Sequence, residues 1–159
     1  GETEAGMALI ERGRNTWYES DQFMLFRHEG DLTMVEALLD VGRFDEAVPF
    51  LEAAYVNLAR IPNAYFRAWA AVLRGRLMRL TGRFEEAEAA QSEAIALAET
   101  CPAKGILAEA QLEQAWLARH SGDHVAADAL MERVRLGVAQ EGAGAIAVRV
   151  QHYLVGQDD

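Results

Sequence analysis

At 159 residues the chain is long enough to bury one substantial core, and its makeup, 51% hydrophobic and 25% charged, is ordinary for a globular protein. A formal net charge of −10 argues against a module that neutralises nucleic-acid phosphates with a basic face. No run approaches the ~18 apolar residues of a membrane span, and the single cysteine, Cys101, permits no internal disulfide, which fits a reducing, cytoplasmic setting.

Few prolines and an abundance of alanine, leucine and glutamate favour helix, and no stretch shows the alternation of a strand. The opening Gly1-Glu2-Thr3-Glu4-Ala5, without an initiator methionine, reads as part of a longer protein. Residues 4–19 carry Ala5, Ala8, Leu9, Ile10, Thr16 and Trp17 at mainly helical spacing, and residues 1–20 are read as the second helix of a truncated repeat. Residues 21–40 form the next expected helix, with Phe23, Phe26, Leu32, Val35, Leu38 and Leu39 as apolar positions. Its partner carries Phe44, Ala47, Val48, Leu51, Ala54, Tyr55 and Leu58, with Pro49 in or just past the first turn, where a missing donor matters least.

Pro62 is expected to open the second pair, whose first helix has the stripe Ala68, Trp69, Val72, Leu73, Leu77 and Leu80. The partner, residues 85–99, presents the small face Ala87, Ala90, Ala94 and Ala98, which lets helix axes approach closely. Pro102 is expected to start the third pair, helices over about 103–120 and 124–140. A capping helix from Ala143 to Leu154 follows. The array therefore divides into pairs at 21–60, 61–100 and 101–141 with a cap at 142–155, about eight antiparallel helices in one domain.

One signal sets this register. Gly42-Arg43-Phe44-Asp45-Glu46-Ala47 returns as Gly82-Arg83-Phe84-Glu85-Glu86-Ala87, and more weakly as Gly122-Asp123-His124-Val125-Ala126-Ala127. The period is 40 residues, which Pro62 and Pro102 also keep. A fixed period in this range is the mark of a stacked helical array. Glycine supplies the left-handed cap of one helix, and the acids meet the positive end of the next.

Gly75, Ala87 and Ala94 have the Gly–Ala–Ala spacing of the tetratricopeptide repeat, with Phe84 at its usual aromatic position. The first pair has Val35, Ala47 and Ala54 there, and the third has Ala115, Ala127 and Val134. The chain thus resembles a tetratricopeptide-repeat domain, although its period of 40 exceeds that family's 34. The stretch Ala5 to Ile10, with Val35 to Leu39, Gly42-Arg43 and Glu46-Ala47, resembles the C-terminal repeats of bacterial proteins that join cyclase-like and ATPase modules. LuxR-type ATPase regulators are the second resemblance. The resemblance implies an all-α, right-handed α-α superhelix whose first helices line a concave face.

Carried over from Gly75, that face holds Trp69, Val72, Arg76 and Arg79, then Glu109, Leu112, Trp116 and Arg119, with His120 beside them. Arg149 and His152 extend it. Forked guanidinium donors beside tryptophan suit an acidic or C-terminal peptide. The alternative is that the arginines pair with Glu109 and Glu113 and that the tryptophans are buried.

No phosphate-binding loop, zinc-protease motif or nucleophile elbow occurs in the sequence. His120 and His124 have metal-ligand spacing, but Gly122 breaks the helix between them, and all four histidines read as capping or turn residues. Cys101 before Pro102 reads as structural. The expectation is a non-catalytic scaffold for a protein or peptide partner in a larger bacterial signalling or regulatory protein, with no cofactor, metal, nucleic acid or membrane. A small-molecule sensor with a pocket near Trp69 and Trp116, and a homodimerisation module, are the alternatives.

Overall fold

A computed structural model describes residues 1–19 and 27–141 together with Val150 and Tyr153, excepting the side chains of Trp17 and of residues 138–141. Among these residues the chain forms seven helices: α1 (Glu2–Glu19), α2 (Arg27–Asp40), α3 (Phe44–Leu58), α4 (Ala64–Leu80), α5 (Phe84–Glu99), α6 (Lys104–His120) and α7 (His124–Glu141). Of the expected helix from Ala143 to Leu154 only Val150 and Tyr153 are among the described residues, and the expected stretch holding Phe23 and Phe26 lies outside them.

The recurring signal forms the turn inside each helix pair. Gly42, Gly82 and Gly122 have φ of 76°, 79° and 84°, the left-handed region where a Cβ is disfavoured. Each turn closes with the same two bonds. Arg43 N–H donates to Leu38 O at 2.9 Å and Gly42 N–H to Leu39 O at 3.3 Å. The counterparts are Arg83 to Met78 (2.8 Å) with Gly82 to Arg79 (3.1 Å), and Asp123 to Ala118 (2.8 Å) with Gly122 to Arg119 (3.1 Å). These are the paired bonds of a Schellman cap, which satisfy carbonyls that the helix end leaves open.

The arginine of the signal also has a role. Arg43 forks onto Glu46, Nε to Oε1 at 2.7 Å and Nη2 to Oε2 at 2.6 Å, and Arg83 forks onto Glu86 in the same way. Hydrogen bonding from arginine holds both glutamates below the usual carboxylate range. In the third copy Asp123 replaces arginine and caps the helix directly, accepting from Ala126 N–H at 2.9 Å.

Two starts differ from expectation. Pro62 does not open α4: it precedes Asn63, whose Oδ1 accepts from Tyr65 N–H (3.0 Å) and Phe66 N–H (3.4 Å). Asparagine can satisfy those first donors where proline cannot. Pro102 similarly precedes Ala103, and α6 begins at Lys104. Pro49 lies inside α3 just past its first turn, on an exposed position, so the Asp45 carbonyl it leaves without a helical donor is beside water.

The core runs as three clusters. Leu32, Val35, Leu38, Ala47, Leu51, Leu73 and Leu77 unite α2, α3 and α4. Ala68, Ala71, Val72, Ala94, Ala98 and Ile106 join α4, α5 and α6. Ala108, Leu112, Ala115, Met131 and Val134 join α6 and α7, with Tyr153 against them. The alanine face of α5 is buried throughout, and Gly75 on α4 marks its tightest crossing. There the fully buried Gln91 lies over Gly75 and donates from Nε2 to Val72 O at 3.1 Å.

Helix α2 packs directly on α4, and α4 on α6, so the first helices of the pairs form a continuous layer. The second helices α3 and α5 reach each other mainly through α4, leaving surface grooves between them.

Candidate functional site

The layer of first helices carries most of the residues singled out by the sequence. Arg76 and Arg79 lie one turn apart on α4 and converge on Glu113 of α6. Arg79 Nε donates to Glu113 Oε2 at 2.7 Å, and Arg76 Nε lies 3.8 Å from Glu113 Oε1. Arg76 Nη2 also donates to Asp40 Oδ1, at 2.5 Å, at the end of α2. Glu113 is 1% exposed and Arg76 8%, so the Coulombic attraction acts where water screens little. Desolvation offsets much of that attraction, but each charge here has an opposite partner. The two arginines are therefore partners of Glu113, the alternative role that the sequence allowed.

The remaining positions divide by burial. Val72 and Leu112 are fully buried in the second and third clusters and offer no surface to a ligand. Their place in the stripe points them between helices. Trp69 is half-buried and packs against both the first and second clusters, so its ring spans two successive repeats. Trp116 is half-buried too; the Arg79 guanidinium lies 5.4 Å from its ring centroid and Tyr153 meets it edge-on at 4.7 Å. The Arg119 guanidinium lies 5.7 Å from the Tyr153 ring. His120 is exposed and stacks on Phe84 of α5 at 3.8 Å. Arg149 and His152 lie outside the described residues.

Other features were not legible beforehand. Asp31 is wholly buried on α2 and gathers Arg14 (Nε to Oδ1, 2.6 Å), the Tyr18 hydroxyl (2.5 Å to Oδ2) and Asn57 (3.4 Å). This ties α1 and α3 to α2. Burial, then the hydrogen bond to Asp31, raises the Tyr18 pKa. An acid inside the otherwise apolar stripe Leu32-Val35-Leu38 was the available clue. His28 is not a turn residue: it is 1% exposed, its ring meets Phe66 edge-on at 4.3 Å, and neither nitrogen has a hydrogen-bond partner among the described residues. Burial pushes its pKa down.

No group of three metal-ligating side chains converges among the described residues, and no helix among them is long and apolar enough to cross a membrane. The Cys101 thiol faces the carbonyls of Leu97 and Ala98 at the end of α5. A pocket of about 500 Å³ lies where α3 and the α3–α4 turn meet α5, and one of about 380 Å³ between α3 and α4; neither touches Trp69 or Trp116.

Residues 29–100 match the family model described as tetratricopeptide repeat. No curated protein and no solved structure matches the chain. The matched span covers nearly all of the first two helix pairs, and the third repeats their turn geometry with Asp123 and His124 in place of arginine and phenylalanine. The match, with the paired helices and their glycine-capped turns, supports a tetratricopeptide-like helical arrangement over residues 29–100.

Proposed function

We propose that the domain is a non-catalytic scaffold that binds an acidic protein segment along the layer formed by α2, α4 and α6, within a larger bacterial signalling or regulatory protein. Tetratricopeptide repeats generally mediate protein–protein interaction, and the signalling context rests on the sequence resemblance alone. One observation carries the choice of surface. The ends of α4 and α6 bring Arg79, Trp116 and Arg119 together around Tyr153, a cationic and aromatic cluster on a chain of net charge −10, with His120 next to Arg119 in sequence. Arginine donors fix a carboxylate in direction, and indole area supplies contact at small entropic cost.

The ion pairs at Glu113 change which residues test the idea. Arg76→Glu would place a third carboxylate beside Asp40 and Glu113 and damage the fold itself. Arg119 and His120 are the better probes, since both lie in the last turn of α6, where His120 is exposed and Arg119 half-buried. The test is selection from a displayed peptide library followed by titration of the binders. Enrichment of acidic peptides, with at least tenfold weaker binding to Arg119→Glu/His120→Glu at unchanged helicity, supports the proposal. Binders that tolerate the double variant refute this placement.

A further inference from the structure

The groove between α3 and α5 holds a cavity of about 500 Å³ where the α3–α4 turn meets α5, within the range of small-molecule sites. Its floor is apolar, made by Leu58, Ile61 and Pro62. Its polar side differs from the rest of this acidic chain. Arg60 and Arg67 both line it, and neither guanidinium has a carboxylate partner among the described residues, whereas the lining carboxylate of Glu93 is already held by Arg74 at 2.8 Å. Tyr55 forms part of the wall, and its buried hydroxyl has no hydrogen-bond partner among the described residues. Burial pushes that hydroxyl's pKa up to about 12, so at neutral pH it is a donor.

The internal repeat separates what the architecture needs from what it does not. Forty residues on, Pro102 matches Pro62 and Ala98 matches Leu58, so the turn and its apolar floor recur. Tyr55, Arg60 and Arg67 are matched by Ile95, Thr100 and Leu107. The hydroxyl and both cations are therefore additions at one interval of the array. An unpaired positive pair over an apolar floor, beside an unused donor, is a chemical complement to an anion with a hydrocarbon body.

We propose that this cavity binds a small amphiphilic anion, its carboxylate or phosphate head between Arg60 and Arg67 and its apolar body on Leu58, Ile61 and Pro62. The site lies in the groove between second helices and is independent of the peptide surface on α4 and α6. The Tyr55 hydroxyl donates to the head group or to an oxygen beside it.

The test is titration of the protein with hexanoate and, separately, with hexyl phosphate, followed by isothermal calorimetry and by amide chemical-shift mapping. Hexylammonium serves as the charge-reversed control. Saturable binding of one or both anions, with shifts centred on residues 58–67 and Glu93 and none from hexylammonium, is the expected result. The arm that binds identifies the head group. Arg60→Ala/Arg67→Ala changes only exposed side chains and should weaken binding at least tenfold, and Tyr55→Phe should weaken it about threefold. The proposal is overturned if neither anion binds at 10 mM (on the order of the weakest affinities such a site can offer). It is equally overturned if the double variant binds as well as the parent, or if the shifts map elsewhere.

Discussion

Gly75→Ala isolates the close crossing of α4 and α5. On helix propensity alone the change should stabilise α4 by about 1 kcal/mol. The geometry opposes it: a Cβ at position 75 would sit 2.2 Å from Gln91 Nε2 and 2.8 Å from Cδ. Gln91 must swing aside, and its hydrogen bond to the Val72 carbonyl is lost. Because Gln91 is fully buried, the displaced amide has no water to turn to, at a cost of roughly 1–3 kcal/mol. Crowding in an already close-packed crossing adds about 1 kcal/mol or more. The net expectation is destabilisation by about 2 kcal/mol, a fall in Tm of roughly 4–8 °C for a domain of this size. Thermal and urea unfolding followed by circular dichroism measure it. Gln91→Ala removes the obstructing side chain, so in the double variant the alanine at position 75 should cost little or nothing, a coupling of about 1–2 kcal/mol. Stabilisation by Gly75→Ala, or strict additivity in the cycle, would refute the reasoning.

Three further outcomes follow from the same geometry. Glu113→Ala leaves Arg76 and Arg79 without their shared buried carboxylate and should cost roughly 3 kcal/mol in urea unfolding; Glu113→Gln, which keeps hydrogen-bond acceptance, should cost less. Asn63→Ala removes the cap of α4 and should cost about 1 kcal/mol, whereas Pro62→Ala should cost less than that. His28 is held neutral by burial, its folded pKa lying below the ordinary 6.5, while the carboxylates of Glu29 and Asp31 act in the opposite sense. The stability this contributes is complete above pH 6.5 and is lost as pH falls through the depressed folded value, since the unfolded chain then binds the proton more readily. His28→Leu should flatten the decline in stability below pH 6.5, and an unchanged pH profile would count against the assignment.

What the sequence disclosed and what it concealed have separate physical reasons. Helix turns were legible because a left-handed cap admits little but glycine, so Gly42, Gly82 and Gly122 had to recur. The small face of α5 was legible because close axes exclude large side chains. Helix starts were less so: Pro62 and Pro102 fit either the first turn or the residue before a cap, and the Asn63 side chain settled that locally. Charge pairing was legible only as an alternative. Arg76 and Arg79 lie 37 and 34 residues before Glu113, and their meeting with it depends on how α4 packs on α6, which helical periodicity within one segment does not encode. The same dependence removed Val72 and Leu112 from the expected surface while leaving Trp69 and Trp116 half-buried at its edge.

The chain has three tryptophans, and two of them, Trp69 and Trp116, lie on the layer proposed to hold the peptide. Fluorine resonance of 5-fluorotryptophan protein during titration with a selected acidic peptide tests that placement most directly. Saturable shifts at Trp116, accompanied by Trp69, are the predicted result. Full binding of the peptide with neither of these two resonances moving would contradict it.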